Sequence, residues 1–288
     1  MDDMTADTEG STEDRTDSRT AGEAGRCVVG FDGSGAARTA LDWAVSRALR
    51  NGRDVHLVGV VDDDAGAMGI GYAEQSALQH AHLLSDTAAQ LVSAHPELVV
   101  TTQLVHGAVA AALAETTRAD DTVIIGSDKT GYARGRLYGA RSIQLAALVP
   151  APLVVIPAAD LRLRDGIVVA LDGTEASDSL ARLGAREAVA RDCRLSLLHA
   201  VPPGAADEQR RRGYDALGRA LEKARTVGPA LEVTRHVTSR RPAEAVLNLA
   251  RDRALLLVGR SRRTPSPGLG GTLHEVLINA NVPVMIVP

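Results

Sequence analysis

The stretch that decides the fold is Thr122–Pro157, TVIIGSDKTGYARGRLYGARSIQLAALVPAPLVVIP. A short apolar run ends at Gly126, a loop bearing glycine and arginine follows, and a helical pattern at 142–148 leads to a proline and a second apolar strand. In this order of elements, free backbone N–H groups and the positive end of the helix dipole point at one spot, which is the geometry that binds anions. The same order recurs at Ala254–Pro288. The sequence therefore predicts two copies of one unit, each ending in such a module.

The two copies align along most of their length. FDGS at Phe31–Ser34 falls on LDGT at Leu171–Thr174 with an offset of 140, and Gly126 falls on Gly259 with an offset of 133. Each copy alternates strand and helix patterns, an order typical of a parallel sheet. An apolar content of 45% with only 2% aromatic residues suits strands buried on both faces. We therefore predict an α/β fold of two tandem Rossmann-like domains, each a five-stranded parallel sheet flanked by helices.

Composition predicts the domain boundaries. Residues 1–25 hold eight acidic residues, two arginines and almost no large apolar side chains, which predicts a disordered acidic tail. The first domain, here called half one, is expected at 26–159, a linker at 160–165, and the second domain, half two, at 166–288. The tail is interpreted either as solvated chain or as a segment for interaction or modification.

Charge and composition argue against several classes of function. The net charge of −4 gives no signal for nucleic-acid binding, and no apolar run approaches the roughly 20 residues that cross a bilayer. The N-terminus is acidic, whereas a signal peptide is basic and then apolar. The two cysteines, Cys27 and Cys193, fit small buried side chains in a reducing compartment. We expect a cytoplasmic protein that binds neither nucleic acid nor membranes.

Ligands of an open α/β sheet bind outside the carboxyl ends of the strands. In each copy, the turn after strand one and the loop after strand four are expected to converge there. The carboxylates of Asp32 and Asp172 can accept hydrogen bonds from a sugar hydroxyl or a base amino group, or they can serve the turn alone. Ser34 and Thr174 are candidates for ligand contact or for capping the following helix.

The loops after strand four are the candidates for phosphate binding. Their glycines either let a phosphate approach the backbone closely or serve tight turns alone, and the clustering of basic side chains in both loops favours a phosphate. The glycines are Gly126, Gly139, Gly259 and Gly271, and the basic residues of the first loop are Lys129, Arg134, Arg136 and Arg141.

Other chemistry has little support in the sequence. His80 and His82 are two positions apart on a predicted helix and cannot face one metal ion. Neither G-x-G-x-x-G after strand one nor a P-loop signature is present. No nucleophile with a base can be assembled from spacing. We therefore predict no metal site and no catalytic residue, and at most a slow ATPase.

With these residues in view, the chain resembles the universal stress protein family in its tandem two-domain form. VGFDGS at Val29–Ser34 and VALDGT at Val169–Thr174 are similar to the family's V-G-x-D-G-S start, and each half ends in strand, glycine loop, helix and proline-led strand. The resemblance covers about 26–157 and 165–288. It implies that each domain has the adenine nucleotide alpha hydrolase-like form of the Rossmann fold.

One branch of this family binds ATP through the motif G-x2-G-x9-G-[S/T] after strand four, and half one keeps its two outer glycines. Lys129 stands where the middle glycine belongs and Ala140 where Ser or Thr belongs, with Ser142 two positions further on. A side chain at the middle position crowds the approach of a phosphate, or supplies charge to it. The family's adenine contact, a backbone group at the end of strand two, maps to Val60.

Half two departs from the motif in a different way. Gly259 and the pair Gly271 and Thr272 match, but Arg262 replaces the middle glycine and the loop is one residue short. The implied adenine contact maps to Ala200. We expect half one to be the better site because its loop keeps its full length.

Two interpretations of function stay open. One is a stress-response protein that binds ATP or a related adenine nucleotide for regulation, with little or no turnover. The other is a motif-degenerate scaffold that binds no nucleotide and acts through protein–protein interaction. The candidate nucleotide contacts are Asp32, Gly33, Ser34, Val60, Gly126, Ser127, Lys129, Gly139, Arg141, Ser142, Asp172, Gly173, Thr174, Ala200, Gly259, Arg262, Gly271 and Thr272.

The resemblance also predicts how the halves assemble. Family members pair through their last strands across a two-fold axis. We expect Leu153–Ile156 and Val284–Val287 to pair within one chain, which covers two apolar edges. Two such chains are then expected to form a homodimer.

Overall fold

The computed structural model describes residues 25–62, 70–127, 140–260 and 269–288. Several predicted features lie outside these residues: the acidic tail except for Gly25, and the loop residues Lys129, Arg134, Arg136, Gly139 and Arg262.

Each half alternates strands and helices. Half one contains β1 (Cys27–Gly30), α1 (Gly35–Asn51), β2 (Val55–Val61), α2 (Ile70–Ala94), β3 (Val100–His106), α3 (Val109–Glu115), β4 (Thr122–Ser127), α4 (Ala140–Leu148) and β5 (Leu153–Pro157). Half two contains β6 (Ile167–Ala170), α5 (Ala176–Ala190), β7 (Leu195–Val201), α6 (Asp207–Arg225), β8 (Val233–Ser239), α7 (Pro242–Ala250), β9 (Leu255–Gly259), α8 (Gly271–Asn279) and β10 (Val284–Val287).

The predicted order of strands and helices is confirmed, with small shifts at the ends of elements. The largest shift is in α3. The spacing of apolar residues in the sequence predicts a helix over Val109–Arg118, but the helix ends at Glu115. The hydroxyls of Thr116 and Thr117 both donate to the carbonyl of Leu113, at 3.0 and 2.6 Å. Such local side-chain bonds compete with helix continuation and favour its end.

The strands form one ten-stranded sheet in the order β3-β2-β1-β4-β5-β10-β9-β6-β7-β8. Each half is a five-stranded parallel sheet, as predicted, and the two sheets join where β5 and β10 run antiparallel. Val284 lies opposite Val155, and Met285 lies opposite Val154. The predicted pairing of the last strands within one chain is therefore present.

Helices cover both faces of the sheet. On one face α1, α2, α5 and α6 pack on side chains such as Val29 and Val169, and on the other α3, α4, α7 and α8 pack on Val28 and Val168. Neighbouring strand residues thus alternate between two cores. Because both faces are buried, the strands read as continuous apolar runs.

Arg260, which directly follows β9, ties half two to half one. Its guanidinium Nη1 donates to the carbonyls of Ala146, Ala147 and Val149, at 3.0, 3.3 and 3.2 Å. These carbonyls lie at the end of α4, where the helix dipole is negative and a cation is stabilising. One side chain of half two therefore caps a helix of half one.

The glycines near the ends of β4 and β9 have different surroundings. A Cβ on Gly126 would lie 2.2 Å from the backbone carbon and oxygen of Ala36, at the start of α1. Among the described residues, a Cβ on Gly259 would meet only Leu180 Cδ2, at 3.9 Å. Close packing of α1 on β4 thus requires a glycine at 126, whereas packing against the described residues requires none at 259.

We expect Gly126→Ala to lower the free energy of unfolding by about 2 kcal/mol, because the methyl group overpacks against backbone that cannot rotate away. Gly259→Ala is the matched control, with an expected change within about 0.5 kcal/mol. Urea denaturation of the two variants measures both values. Equal losses in the two variants would contradict the assigned difference in packing.

Candidate functional site

The turns after β1 and β6 share one geometry. Asp172 Oδ1 accepts hydrogen bonds from the backbone N–H of Thr174 at 3.0 Å, from the Thr174 hydroxyl at 2.6 Å and from the Ser177 hydroxyl at 3.2 Å. Asp32 Oδ1 accepts from the backbone N–H of Ser34 at 3.0 Å. The glycine that follows each aspartate has a positive φ, 78° in half one and 80° in half two. Both aspartates therefore hold their own turn, and each is exposed at the carboxyl edge of its strands.

Ser34 and Thr174 differ in whether the side chain caps the following helix. Ser34 Oγ accepts a hydrogen bond from the backbone N–H of Ala37 at 3.2 Å and caps α1, as predicted. The N-cap position of α5 is Glu175, and its side chain makes no cap bond. The capping role considered for Thr174 is therefore wrong, because its hydroxyl is engaged by Asp172 instead.

Val60 and Ala200, the residues to which the adenine contact maps, lie near the carboxyl ends of β2 and β7. Both are half-buried and pack against the same core, on the side of α3 and α7. Ala200 lies beside the turn at Asp172 and lines a cleft with it. The structure therefore brings together the predicted adenine position and the predicted turn of half two.

His199, on β7 beside Ala200, is a site residue that the sequence analysis missed. Its Nδ1 donates to the carbonyl of Leu171 at 2.9 Å. This bond leaves Nε2 of the neutral ring as an acceptor, and no hydrogen bond to Nε2 is found within the described part of the chain. The sequence did contain a signal for this residue. The offset that aligns the two turns places His199 of half two on Gly59 of half one, so the two copies differ at this position.

These groups border a cleft of about 530 Å³ at the carboxyl ends of β6 and β7. This volume lies in the ordinary range for small-molecule sites, which is about 300–1,000 Å³. Acceptors line its strand side, and two exposed arginines of α6 line its helix side. The lining residues are Asp172, Gly173, His199, Ala200, Val201, Pro202, Gln209, Arg212, Asp215 and Arg219.

The corresponding turn in half one is covered by a larger side chain. A Cβ on Gly33 would lie 2.8 Å from Leu83 Cδ2, so α2 places a leucine directly over the turn. In half two, Gly173 faces Ala216 on α6 and the ring of His199, and a Cβ on this glycine would lie 3.6 Å from both the Ala216 methyl carbon and His199 Cε1. The half-two turn has this looser contact with α6, and both Asp172 and Gly173 line the cleft.

The phosphate-side candidates are only partly within the described residues. Gly271 begins α8, and a Cβ there would meet no atom of the described residues within 4 Å. Thr272 is exposed next to it. In half one, Ser127 ends β4, and its carbonyl accepts from the backbone N–H of Ala158 at 3.1 Å.

Arg141 and Ser142 lie side by side in the first turn of α4 but face different surroundings. Arg141 is exposed, whereas Ser142 is buried. Burial makes Ser142 a weaker candidate for ligand contact than Arg141.

A second cleft, of about 440 Å³, lies between β8 and α7 in half two. Its lining includes Leu198, His236 and Arg240, and Arg240 is paired with Glu244 at 2.8 Å. Burial lowers the pKa of His236. The lining contains none of the predicted site residues, so this cleft is not part of the candidate site.

Two other kinds of site are absent from the described ranges. No group of three or more His, Cys, Asp or Glu side chains is placed there to hold a metal ion. In the same residues, no helix combines the length and the apolar character that a membrane span needs.

Comparison with known proteins identifies the family. The model of the universal stress protein family matches residues 23–157 and again 164–288. The chain therefore belongs to the universal stress protein family and carries its domain twice, as the resemblance in the sequence implied.

Individual relatives agree with this assignment. A universal stress protein of Mycobacterium tuberculosis is 28% identical, and the match covers 90% of this chain and 93% of the relative. The crystal structure of a universal stress protein from Archaeoglobus fulgidus has the same fold, with a TM-score of 0.73, 17% identity, and coverage of 91% of this chain and 95% of that chain. A universal stress protein from Archaeoglobus fulgidus in complex with dAMP is 24% identical, covers 44% of this chain and 99% of that chain, and has a TM-score of 0.38.

Loss of the Ser34 hydroxyl should destabilise the protein more than loss of the Thr174 hydroxyl. Ser34→Ala removes an N-cap and is expected to cost about 1 kcal/mol in the free energy of unfolding. Thr174→Ala removes a bond within an exposed turn, with an expected cost of about 0.5 kcal/mol. Urea denaturation with circular dichroism checks the order, and a larger loss for Thr174→Ala would show that the capping assignment is mistaken.

Proposed function

We propose that the half-two cleft binds an adenine nucleotide, ATP in the first instance, and that binding regulates the protein with little or no turnover. The observation that carries the proposal is the cleft of about 530 Å³ that the turn at Asp172 and Gly173 lines together with Ala200, the predicted adenine position. A nucleotide fits both the position of the cleft in an α/β sheet and its volume.

The polarity of the cleft supports a nucleotide. On the strand side, the Asp172 carboxylate and Nε2 of His199 are acceptors, which suit the hydroxyls of a ribose and the amino group of adenine. On the helix side, Arg212 and Arg219 flank the carboxylate of Asp215 and supply two positive charges that suit phosphates. Arg212 is paired with Glu208, but the two side chains are 75% and 72% exposed, so the pair is weak and a phosphate can replace the carboxylate.

The described residues favour half two over half one. Loop length alone favoured half one, because its loop keeps the full spacing of the motif. Leu83, however, covers the half-one turn, and packing against α1 accounts for the glycine at 126. In half two, packing against the described residues does not account for Gly259 or Gly271, which supports a role for these glycines in letting a ligand approach the backbone.

The remaining parts of the proposal concern charge, location and assembly. Arg262 is a source of charge for a phosphate bound in half two, and Lys129 would play the same part for an anion bound by half one. The location is the cytoplasm, and the assembly is a homodimer. The alternative, a scaffold without nucleotide, makes the opposite prediction for ligand binding. Titration of the full-length protein with ATP therefore separates the two, with native mass spectrometry giving the number of nucleotides bound per chain.

Ala216→Leu should weaken nucleotide binding by half two. The variant places in half two a leucine like the one that covers the half-one turn, and the larger side chain fills the space above Gly173. We expect the dissociation constant for ATP to rise about tenfold or more, which corresponds to about 1.4 kcal/mol. Isothermal titration calorimetry measures the affinity, and thermal unfolding without ligand shows whether the variant is folded.

Leu83→Ala is the matched control in half one. It should leave the half-two dissociation constant within about twofold of the unmodified value, because distant sites act independently. A folded Ala216→Leu variant that binds as tightly as the unmodified protein would place the nucleotide elsewhere. If the unmodified protein binds no ATP at millimolar concentration, the proposal is wrong and the scaffold interpretation gains support.

A further inference from the structure

A buried cluster of charges joins the two halves, away from the clefts. Arg47 on α1 of half one donates from Nη2 to Glu187 Oε1 on α5 of half two, at 2.5 Å, and the two residues are only 4% and 2% exposed. The other carboxylate oxygen of Glu187 binds Arg191. Burial raises the pKa of Glu187, and Arg47 followed by Arg191 lowers it by more, so its pKa lies below the ordinary value.

Arg47 and Glu187 occupy equivalent positions in the two copies. Their separation in the sequence equals that between Asp32 and Asp172, the aspartates of the two aligned turns. A residue that contacts its own equivalent in the other half lies on the approximate two-fold axis that relates the halves. The Arg47–Glu187 pair therefore lies on this axis in the helix layer.

The sheet provides an independent position for the same axis. In half one, Val154 lies opposite Ile124 of β4, and in half two Met285 lies opposite Leu257 of β9. Ile124 and Leu257 are equivalent by the offset that aligns the glycines near the ends of β4 and β9, so Val154 and Met285 are equivalent as well. These two residues are direct partners across the β5–β10 junction, and both belong to the core on the side of α1 and α5.

Position on the axis has a consequence for partner choice. If two copies of half one met through this face, Arg47 would lie against a second Arg47, and two copies of half two would bring Glu187 against Glu187. Like charges in a buried contact are strongly unfavourable, whereas the unlike halves bring opposite charges together. Trp43 adds a second unlike contact, since the guanidinium carbon of Arg191 lies 5.4 Å from the centre of its ring.

Burial of these charges carries a desolvation penalty, so the cluster adds little net stability to the junction. Within the described residues, Arg47 Nε and Arg191 Nη2 are buried without a hydrogen-bond partner. A buried ion pair is weak evidence for stability even when its atoms are fully paired, and specificity is the better-attested reason to keep one. The incomplete pairing here therefore favours a role in partner choice.

We propose that the Arg47–Glu187 pair determines which halves join: the α1 face of half one accepts half two and rejects another half one. A second copy of this chain then enters the junction only by reciprocal exchange, half one of one chain with half two of the other. A homodimer of closed chains uses a different surface. The inference is independent of nucleotide binding.

Two variants of the full-length protein test whether the Arg47–Glu187 pair determines which halves join. Arg47→Glu places Glu in both halves, and Glu187→Arg places Arg in both, so neither chain can form the pair internally. Each alone should show a midpoint of thermal unfolding lowered by about 10 °C. When the two are coexpressed, each half one has an oppositely charged half two on the other chain. Native mass spectrometry should then detect a 1:1 heterodimer, at twice the 30.1 kDa of one chain.

The double variant Arg47→Glu/Glu187→Arg keeps the test valid if the single variants fail to fold. It restores opposite charges in one chain, and Arg191 already lies beside Trp43, one turn before position 47. We expect it to recover at least about half of the lost unfolding temperature. Arg240→Glu, in an exposed ion pair with Glu244, is the control for a change of charge alone and should shift the midpoint by about 1 °C or less.

Three results would overturn the proposal. The first is a single variant as stable as the unmodified protein. The second is a homodimer of one variant that forms as readily as the mixed dimer. The third is a double variant no more stable than the single ones.

Discussion

The structure depends on the antiparallel pairing of β5 with β10. Each half ends in an apolar strand, and without a partner that strand would leave its backbone groups and side chains exposed at a sheet edge, where they promote aggregation. In the pair, Val154 and Met285 are fully buried. The junction turns two parallel sheets into one continuous sheet, and it sets the two-fold relation that brings Arg47 onto Glu187.

The antiparallel junction also separates the two candidate sites. All strands within a half are parallel, and the strands of one half run opposite to those of the other. The carboxyl ends of the two sets of strands therefore point in opposite directions along the strand axis. The turn at Asp32 and the turn at Asp172 are therefore far apart and share no lining. Because the two sites are separate, a substitution in one half does not alter the site in the other half. Leu83 and Ala216, which hold equivalent positions beside the two turns, are an example of such a difference.

Much of the fold could be predicted from the sequence, because it depends on local patterns. Apolar runs, glycine turns and the repeat offset indicate the order of elements, whereas the pairing of the last strands was implied by the family resemblance. The site was less predictable, since its shape depends on side chains that meet across elements. Ser34 and Thr174 read alike in sequence, yet one caps a helix and the other binds Asp172. His199 and Ala216 follow no motif, and their packing in the structure shows that His199 lines the cleft and that both side chains lie against the turn at Gly173.

The glycines of the two copies show why a motif is an incomplete guide to a site. Gly126 and Gly259 hold the same place in the repeat, but only Gly126 is required by the backbone packed against it. A glycine kept for packing carries no information about a ligand, whereas one that faces open space needs another reason for lacking a side chain. Arg47 and Glu187 also hold the same place in the repeat but differ in chemistry, and their position on the two-fold axis explains why opposite charges are needed there. In a duplicated chain, comparing the two copies residue by residue therefore separates what the fold requires from what one half alone has acquired.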